Sequence, residues 1–85
     1  MTYRVEFRPS ALRSFRHLPG SIQARIRPMI DALADDPRPS GCRKLAGHAG
    51  RFRVRVGDYR VLYEIRDAVL LVIVVDIGHR REIYR

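Results

Sequence analysis

Cysteine, lysine, tryptophan and long apolar runs are scarce or missing in this sequence. The scarcity of cysteine and the lack of long apolar runs exclude two classes of protein. Cys42 is the only cysteine, so no disulfide can form within the chain and a disulfide scaffold is excluded. The longest apolar run, residues 68–75, falls short of the roughly 20 residues that a membrane-spanning helix needs. The N-terminal residues have the pattern of neither an export signal nor a transit peptide. We therefore expect a soluble cytoplasmic protein without a membrane partner.

Acidic residues are also scarce, and the charge balance predicts a polyanionic partner. Nine Asp and Glu stand against 17 Lys and Arg, which gives a formal net charge of +8. All of these cations except Lys44 are arginine. A guanidinium group binds phosphate oxygens through two parallel N–H groups, although arginine-rich codon usage explains the same composition. Only the positions of the arginines separate these two explanations.

The length of the chain limits it to one domain, residues 1–85, with one core. Of its 85 residues, 46% are hydrophobic, which is enough to fill that core. A chain of this length is too short for a two-domain enzyme with a cofactor cleft. We expect no cofactor and no metal site, because the histidines are scattered and no carboxylates cluster near them. The histidines are His17, His48 and His79.

Hydrophobic periodicity predicts the order strand, helix, helix, strand, strand, strand. The six elements are expected at residues 3–7, 9–18, 22–33, 51–56, 59–65 and 68–76. Pro28 should kink or split the second helix, because it lacks a backbone donor. The Pro- and Gly-rich residues 35–50 connect the two halves. The fold class is therefore α+β, an antiparallel twisted sheet with an N-terminal helical hairpin packed on one face.

The dipeptide Gly57-Asp58 predicts a type II′ hairpin turn, and a two-residue loop fixes the strand register. Arg55 then lies directly opposite Arg60, which is a destabilising like-charge pair. By alternation one face carries Phe52, Val54, Val56, Tyr59, Val61 and Tyr63, and the arginines share the other face. The arginines of that second face are Arg51, Arg53, Arg55 and Arg60. The alternative interpretation is an ordinary solvated face.

A second concentration of arginine follows the last predicted strand, at residues 78–85. If this segment lies beside the hairpin, Arg80 joins the arginine face and His79 and Tyr84 edge it. Such a face suits a phosphodiester with a base stacked alongside. Arginine stabilises developing negative charge well, but its pKa above about 12 makes it a poor proton carrier. His79 and Tyr84 are the titratable groups available for proton transfer.

Two segments of the sequence carry a resemblance to a known family. Residues 53–63 read RVRVGDYRVLY and residues 75–84 read VDIGHRREIY. Together they resemble the RelE toxins of bacterial and archaeal toxin–antitoxin systems, within the RelE/ParE superfamily. The resemblance spans the whole chain and includes the first strand and the helical hairpin. The ending of the second segment favours the RelE branch.

The resemblance implies a small ribonuclease that enters the ribosomal A site and cuts messenger RNA by metal-independent attack of the 2′-hydroxyl. It also implies a cognate acidic antitoxin that covers the basic face, with operator DNA bound only by the toxin–antitoxin complex.

Site residues follow from the resemblance position by position. Arg60 and Arg80 would stabilise the scissile phosphate, and Tyr84 would stack on or orient the target nucleotide. Arg53 and Arg55 stand where well-studied members carry lysines, so charge stabilisation is retained while the general acid and base stay open. The remaining RNA-binding candidates are Arg51, His79 and Arg81.

Two alternatives share the fold. The first is a ParE-like protein that poisons DNA gyrase by protein contacts and does not need Tyr84. The second is an inactive binding module that only forms a repressor complex with its antitoxin.

Overall fold

The computed structural model describes residues 2–79, which fold into two helices and a five-stranded sheet. The elements are β1 (Arg4–Phe7), α1 (Pro9–Arg16), α2 (Gly20–Ala32), β2 (Arg43–Lys44), β3 (Arg51–Val56), β4 (Tyr59–Arg66) and β5 (Leu71–His79). The α+β class is confirmed, and so is the predicted order of the main elements. The short strand β2 is an addition, because it lies within the segment expected to be only a connection.

The two helices cover one face of the sheet. Pro9 occupies the first turn of α1, where its fixed φ favours helix and its missing N–H is not needed. Helix α2 is not split at Pro28. Pro28 and Ala24, whose carbonyl loses its helical donor, are both exposed, so water can satisfy that carbonyl. Neither helix within residues 2–79 is long and apolar enough to cross a membrane.

The sheet has the strand order β1-β5-β4-β3-β2. Three of its pairings are antiparallel, as expected, while β1 runs parallel to β5 over four rungs, from Arg4↔Leu71 to Phe7↔Val74. Parallel neighbours need a long crossover connection, and here the two helices and three strands between β1 and β5 supply it. This pairing joins the N-terminal half of the chain to the hairpin half.

The core lies between the helices and the sheet. Side chains from both helices and from β4 and β5 meet there without solvent contact; those with 0% exposure are Ala11, Ile26, Ile30, Val61, Tyr63, Val72 and Val74. Tyr63 is the largest of them, and its hydroxyl donates a hydrogen bond of 2.8 Å to the carbonyl oxygen of Pro37. Burial, more than the neighbouring Cys42, raises the pKa of Tyr63 well above its ordinary value. The hydroxyl therefore stays protonated and available as a donor.

A polar clamp fastens the connecting segment to the sheet. Arg38 donates to both carboxylate oxygens of Asp67, at 3.2 and 2.8 Å, and the Tyr3 hydroxyl donates to Oδ1 of Asp67 at 2.6 Å. The Arg38 hydrogen bond, with that of Tyr3 second, holds the pKa of Asp67 below its ordinary value. The same guanidinium lies 5.3 Å from the ring centre of Phe52, as a cation–π contact. These contacts hold the segment before β2 against β3 and β4.

Candidate nucleic-acid interface

The β3–β4 hairpin has the predicted register at every rung. Val56 pairs with Tyr59 and Arg55 with Arg60. Gly57 has a φ of 60°, and Asp58 is not among the residues with positive φ, as a type II′ turn requires. The predicted faces are confirmed as well, because the six residues expected on the core side belong to the core or pack against it. They are Phe52, Val54, Val56, Tyr59, Val61 and Tyr63.

Four arginines gather on the opposite face, at the turn end of the hairpin. We call them the arginine surface; they are Arg43, Arg53, Arg55 and Arg60. Arg43 and Arg55 are exposed, while Arg53 and Arg60 are half-buried. The sequence analysis missed Arg43, which β2 places opposite Arg53. A strand of two residues has no periodicity to detect, so only its pairing with β3 shows where Arg43 lies.

The other end of the same face has a different charge pattern. Glu64 accepts hydrogen bonds from Arg66 at 2.7 Å and from Arg51 at 3.4 Å, and Arg4 pairs with Glu6 at 2.8 Å. These arginines, Arg66 first and Arg51 second, lower the pKa of Glu64. Arg51, predicted to bind RNA, is thus engaged by a carboxylate. The ion pairs among the described residues of this face thus lie at the end away from the turn, while the turn end carries the arginine surface.

Within residues 2–79, Asp76 is the one carboxylate that the strands of the sheet place at the turn end of this face. It lies in one row with Leu62 and Arg53, on β5, β4 and β3 respectively. Asp58 belongs to the turn itself and is exposed. The surface therefore combines several guanidinium groups with a single strand-borne carboxylate.

His79 lies on the other face of the sheet, which corrects its predicted place at the edge of the arginine surface. The pairing of β5 with β4 shifts by one residue between Val74 and Asp76, and this shift turns the end of β5 over. His79 consequently faces Tyr59, with ring centres 5.5 Å apart in an edge-on arrangement. Both rings line a groove of about 540 Å³ beside the C-terminal end of α1, where His17 also lies.

The other predicted residues of this site, Arg80, Arg81 and Tyr84, lie outside the described residues. Their proximity to the hairpin stays a prediction. Among residues 2–79, no three side chains of His, Cys, Asp or Glu come together as metal ligands would.

The arginine surface is built to receive an anion. Side chains directly opposite in an antiparallel pair have Cβ atoms only about 4.5–5.5 Å apart, so Arg55 and Arg60 repel each other. A bound phosphate relieves this repulsion, because each guanidinium offers it a planar pair of donors. The same preorganised charge stabilises negative charge that develops on a phosphoryl group during reaction. Arginine does not exchange protons near neutral pH, so proton transfer requires other groups.

Sequence comparisons link the chain to toxins along its whole length. The family model described as "ParE toxin of type II toxin-antitoxin system, parDE" matches residues 5–84. Toxin RelG of Mycobacterium tuberculosis is 35% identical over 86 residues, which span 100% of this chain and 99% of that protein. The mRNA interferase toxin RelE of Escherichia coli K12 is 25% identical over 88 residues, which span 99% of this chain and 92% of that protein.

Solved structures with the same fold come from toxin–antitoxin complexes. The archaeal RelE–RelB complex from Pyrococcus horikoshii OT3 contains a chain with a TM-score of 0.83 and 28% identity, covering 96% of this chain and 99% of that chain. The complex RelBE2 from Mycobacterium tuberculosis contains one with a TM-score of 0.83 and 32% identity, covering 94% and 100%. In both, the matched chain is similar to this one from end to end.

Proposed function

Because the chain belongs to the RelE/ParE superfamily of toxins from type II toxin–antitoxin systems, we propose that it is an endoribonuclease that cuts messenger RNA and thereby stops translation. The observation that carries the proposal is the arginine surface, whose rung Arg55–Arg60 brings two guanidinium groups to one place where a phosphate can bind. The name mRNA interferase, borne by the similar Escherichia coli protein, fits such a surface.

The cleavage uses the RNA's own 2′-hydroxyl as nucleophile, without a metal ion. The 2′-oxygen attacks the adjacent phosphorus, the bond to the 5′-oxygen breaks, and a 2′,3′-cyclic phosphate and a 5′-hydroxyl result. Arg60, Arg55 and Arg53 stabilise the charge that accumulates on the phosphoryl oxygens. Arg80 helps to stabilise the same negative charge, and Tyr84 stacks on the target nucleotide, as the family resemblance implies.

The reaction takes place on the ribosome, where the A site holds the messenger strand in an exposed, single-stranded form. Recognition then combines phosphate contacts at the arginine surface with base stacking, which is how single-stranded RNA is commonly held. His79 and Arg81 remain candidates for contacts outside the reacting centre, with His79 acting from the helix face.

An antitoxin is the second partner. The similar solved chains are toxins in complex with RelB antitoxins. An acidic antitoxin segment neutralises the arginine surface of this chain and blocks RNA from it. Operator DNA is bound by the complex and not by the toxin alone.

Expression of the wild-type chain in bacteria, followed by mapping of mRNA 5′ ends, tests the proposed function. Cuts are expected inside coding regions in phase with the reading frame, together with growth arrest. Arg60→Ala should lower cleavage by about 10²–10³-fold, the usual loss when one charge-stabilising donor is removed. Arg66→Ala is the matched control, since Arg66 lies on the same strand and face but pairs with Glu64.

Growth arrest with uncut transcripts would contradict the proposal. Gyrase-dependent DNA breaks that persist in Tyr84→Phe would instead establish the ParE-like activity, and the absence of any growth defect would leave only a binding module.

A further inference from the structure

An irregularity of β5 places Asp76 on the face of the sheet that carries the arginine surface. Val74 pairs with Tyr63 and Asp76 pairs with Leu62, so Val75 is an extra residue, a β-bulge. Val74 is fully buried on the helix side. Regular alternation would have directed Asp76 into the core together with Val74, because the side-chain period of a strand is two. Bulges that re-aim a side chain are frequent next to active sites.

Only one of the two oxygens of the Asp76 carboxylate accepts a hydrogen bond from the residues from 2 to 79. Its Oδ1 accepts a hydrogen bond of 2.8 Å from the backbone N–H of Ile77, and the side chain is half-buried. Asp76 forms no ion pair with any other residue from 2 to 79, although arginines occupy the neighbouring strands. The second oxygen is therefore available to a ligand that the arginine surface binds.

The register places this carboxylate at a useful distance from the phosphate-binding groups. Arg60 pairs with Gly78, two residues along β5 from Asp76, and Arg53 lies in the row of Asp76 beyond Leu62. Diagonal side chains of an antiparallel pair are about 7–8 Å apart. A phosphodiester bound by Arg60 fits within that interval, with its ribose beside Asp76.

We propose that Asp76 is the general base of the cleavage reaction, an inference that rests on the proposed function. Its carboxylate takes the proton of the 2′-hydroxyl while the 2′-oxygen bonds to phosphorus and the bond to the 5′-oxygen breaks. The leaving 5′-oxygen takes a proton from water, and the hydroxide that forms receives the proton held by Asp76. The carboxylate thus performs the step for which the surrounding arginines are unsuited.

Single-turnover cleavage of a short mRNA on programmed ribosomes tests this role. Asp76→Asn keeps an oxygen for the Ile77 N–H but removes the base, so the rate should fall by about 10²–10⁴-fold. The same variant should bind a fully 2′-O-methylated, uncleavable RNA oligonucleotide more tightly than the wild type, because it removes negative charge from a positive surface. Glu6→Gln, which neutralises a carboxylate far from the turn, is expected to change neither quantity.

Chemical rescue separates a base from a structural residue. Added formate should restore part of the lost cleavage to Asp76→Ala, because a small carboxylate can occupy the vacated space among the arginines. Formate should not restore cleavage to Arg60→Ala, which lacks charge stabilisation and not a base.

Equal cleavage by wild type and Asp76→Asn would overturn the proposal and leave the proposed function intact. A loss of rate and affinity together, or an Asp76→Ala variant that formate does not restore, would overturn it too. A wild-type chain that cuts no mRNA on ribosomes would instead refute the proposed function on which the inference rests.

Discussion

At the residue scale, Arg55 and Arg60 place two positive charges on one rung of the sheet, which opposes folding. The rung is separated by one pair from a turn that fixes the register, so the two side chains cannot avoid each other by slipping. Like charges directly opposite each other are unfavourable, and an anionic ligand bound between them reduces that cost. Such a trade between stability and activity is common at functional sites.

Two substitutions on β3 should therefore change stability in opposite directions. Arg55→Thr removes the repulsion and introduces a residue that favours strands, so the free energy of unfolding should rise by about 0.5 kcal/mol. Arg51→Thr removes a pair with Glu64 and should lower it by a similar amount. Urea unfolding followed by circular dichroism measures both. A stability loss in Arg55→Thr would show that the rung is not strained.

The buried hydroxyl of Tyr63 supports a second residue-scale prediction. Tyr63→Phe removes its hydrogen bond to Pro37 and leaves a buried carbonyl without that donor. The free energy of unfolding should fall by about 1–2 kcal/mol. Tyr59→Phe is a suitable control, because Tyr59 is only half-buried. Equal unfolding midpoints for the two variants would contradict the role assigned to the bond.

Local alternation determined which residues of the hairpin face the core, and it failed where the strand is irregular. The predicted faces of β3 and β4 hold because a two-residue loop and an uninterrupted period leave no freedom. His79 was expected at the edge of the arginine surface because it follows the last predicted strand, but one extra residue in β5 turns the side chains from Asp76 to His79 over. The bulge forms against β4, and nothing in the run of valines and isoleucines before Asp76 marks its position.

At the element scale, the hairpin turn depends on the glycine at its first position. Gly57 has positive φ, and a Cβ added there would lie 3.0 Å from Nη2 of Arg25, which extends from α2 to the turn. Gly57→Ala should destabilise the fold by about 1–3 kcal/mol, mainly through backbone strain. Gly20→Ala is the control, since a Cβ added to that helical glycine would have no neighbour within 4 Å. An unchanged melting temperature for Gly57→Ala would exclude the assigned turn type.

The clamp on the connecting segment should respond to pH. The pKa of Asp67 is lowered in the folded protein, chiefly by Arg38, so the clamp stabilises the fold above the ordinary value of 3.8 and loses this effect as pH falls below it. Asp67→Asn should melt at a lower temperature than the wild type at about pH 7. The difference should shrink toward about pH 3, as thermal unfolding at both values will show. If the difference in melting temperature between Asp67→Asn and the wild type stayed constant with pH, the loss of stability would not come from the carboxylate charge.

The sequence was sufficient to predict the helices and strands. It was not sufficient to predict which strands pair with each other. Strands and helices follow from periods of two and 3.6 residues within short segments. The parallel contact of β1 with β5 joins Arg4 to Leu71 across most of the chain, and no local pattern encodes it. The same holds for Arg43, whose two-residue strand exists only because β3 is beside it.

At the scale of the whole molecule, the net charge of +8 is unevenly distributed. Ion pairs balance one end of the open sheet face, while the turn end carries the arginine surface. Repulsion within the free protein should therefore outweigh attraction between its exposed ion pairs.

Salt should consequently stabilise the isolated toxin. Its melting temperature is expected to rise when sodium chloride increases from about 0.02 to about 0.3 M, since screening weakens the repulsion between arginines. The rise should be smaller in Arg55→Thr, which has one fewer charge on the crowded rung. A melting temperature that falls with salt would mean that the ion pairs dominate.

The position of β5 in the sheet also determines the order in which the parts of the sheet can assemble. This strand lies between β1 and β4, yet it leaves the ribosome after every other described element. Until β5 is in place, β1 with the helices and the β2–β4 ladder have no shared sheet. The arginine surface and Asp76 therefore come together only when β5 pairs with β4, so a partly folded chain without that pairing lacks both the complete sheet and the proposed base.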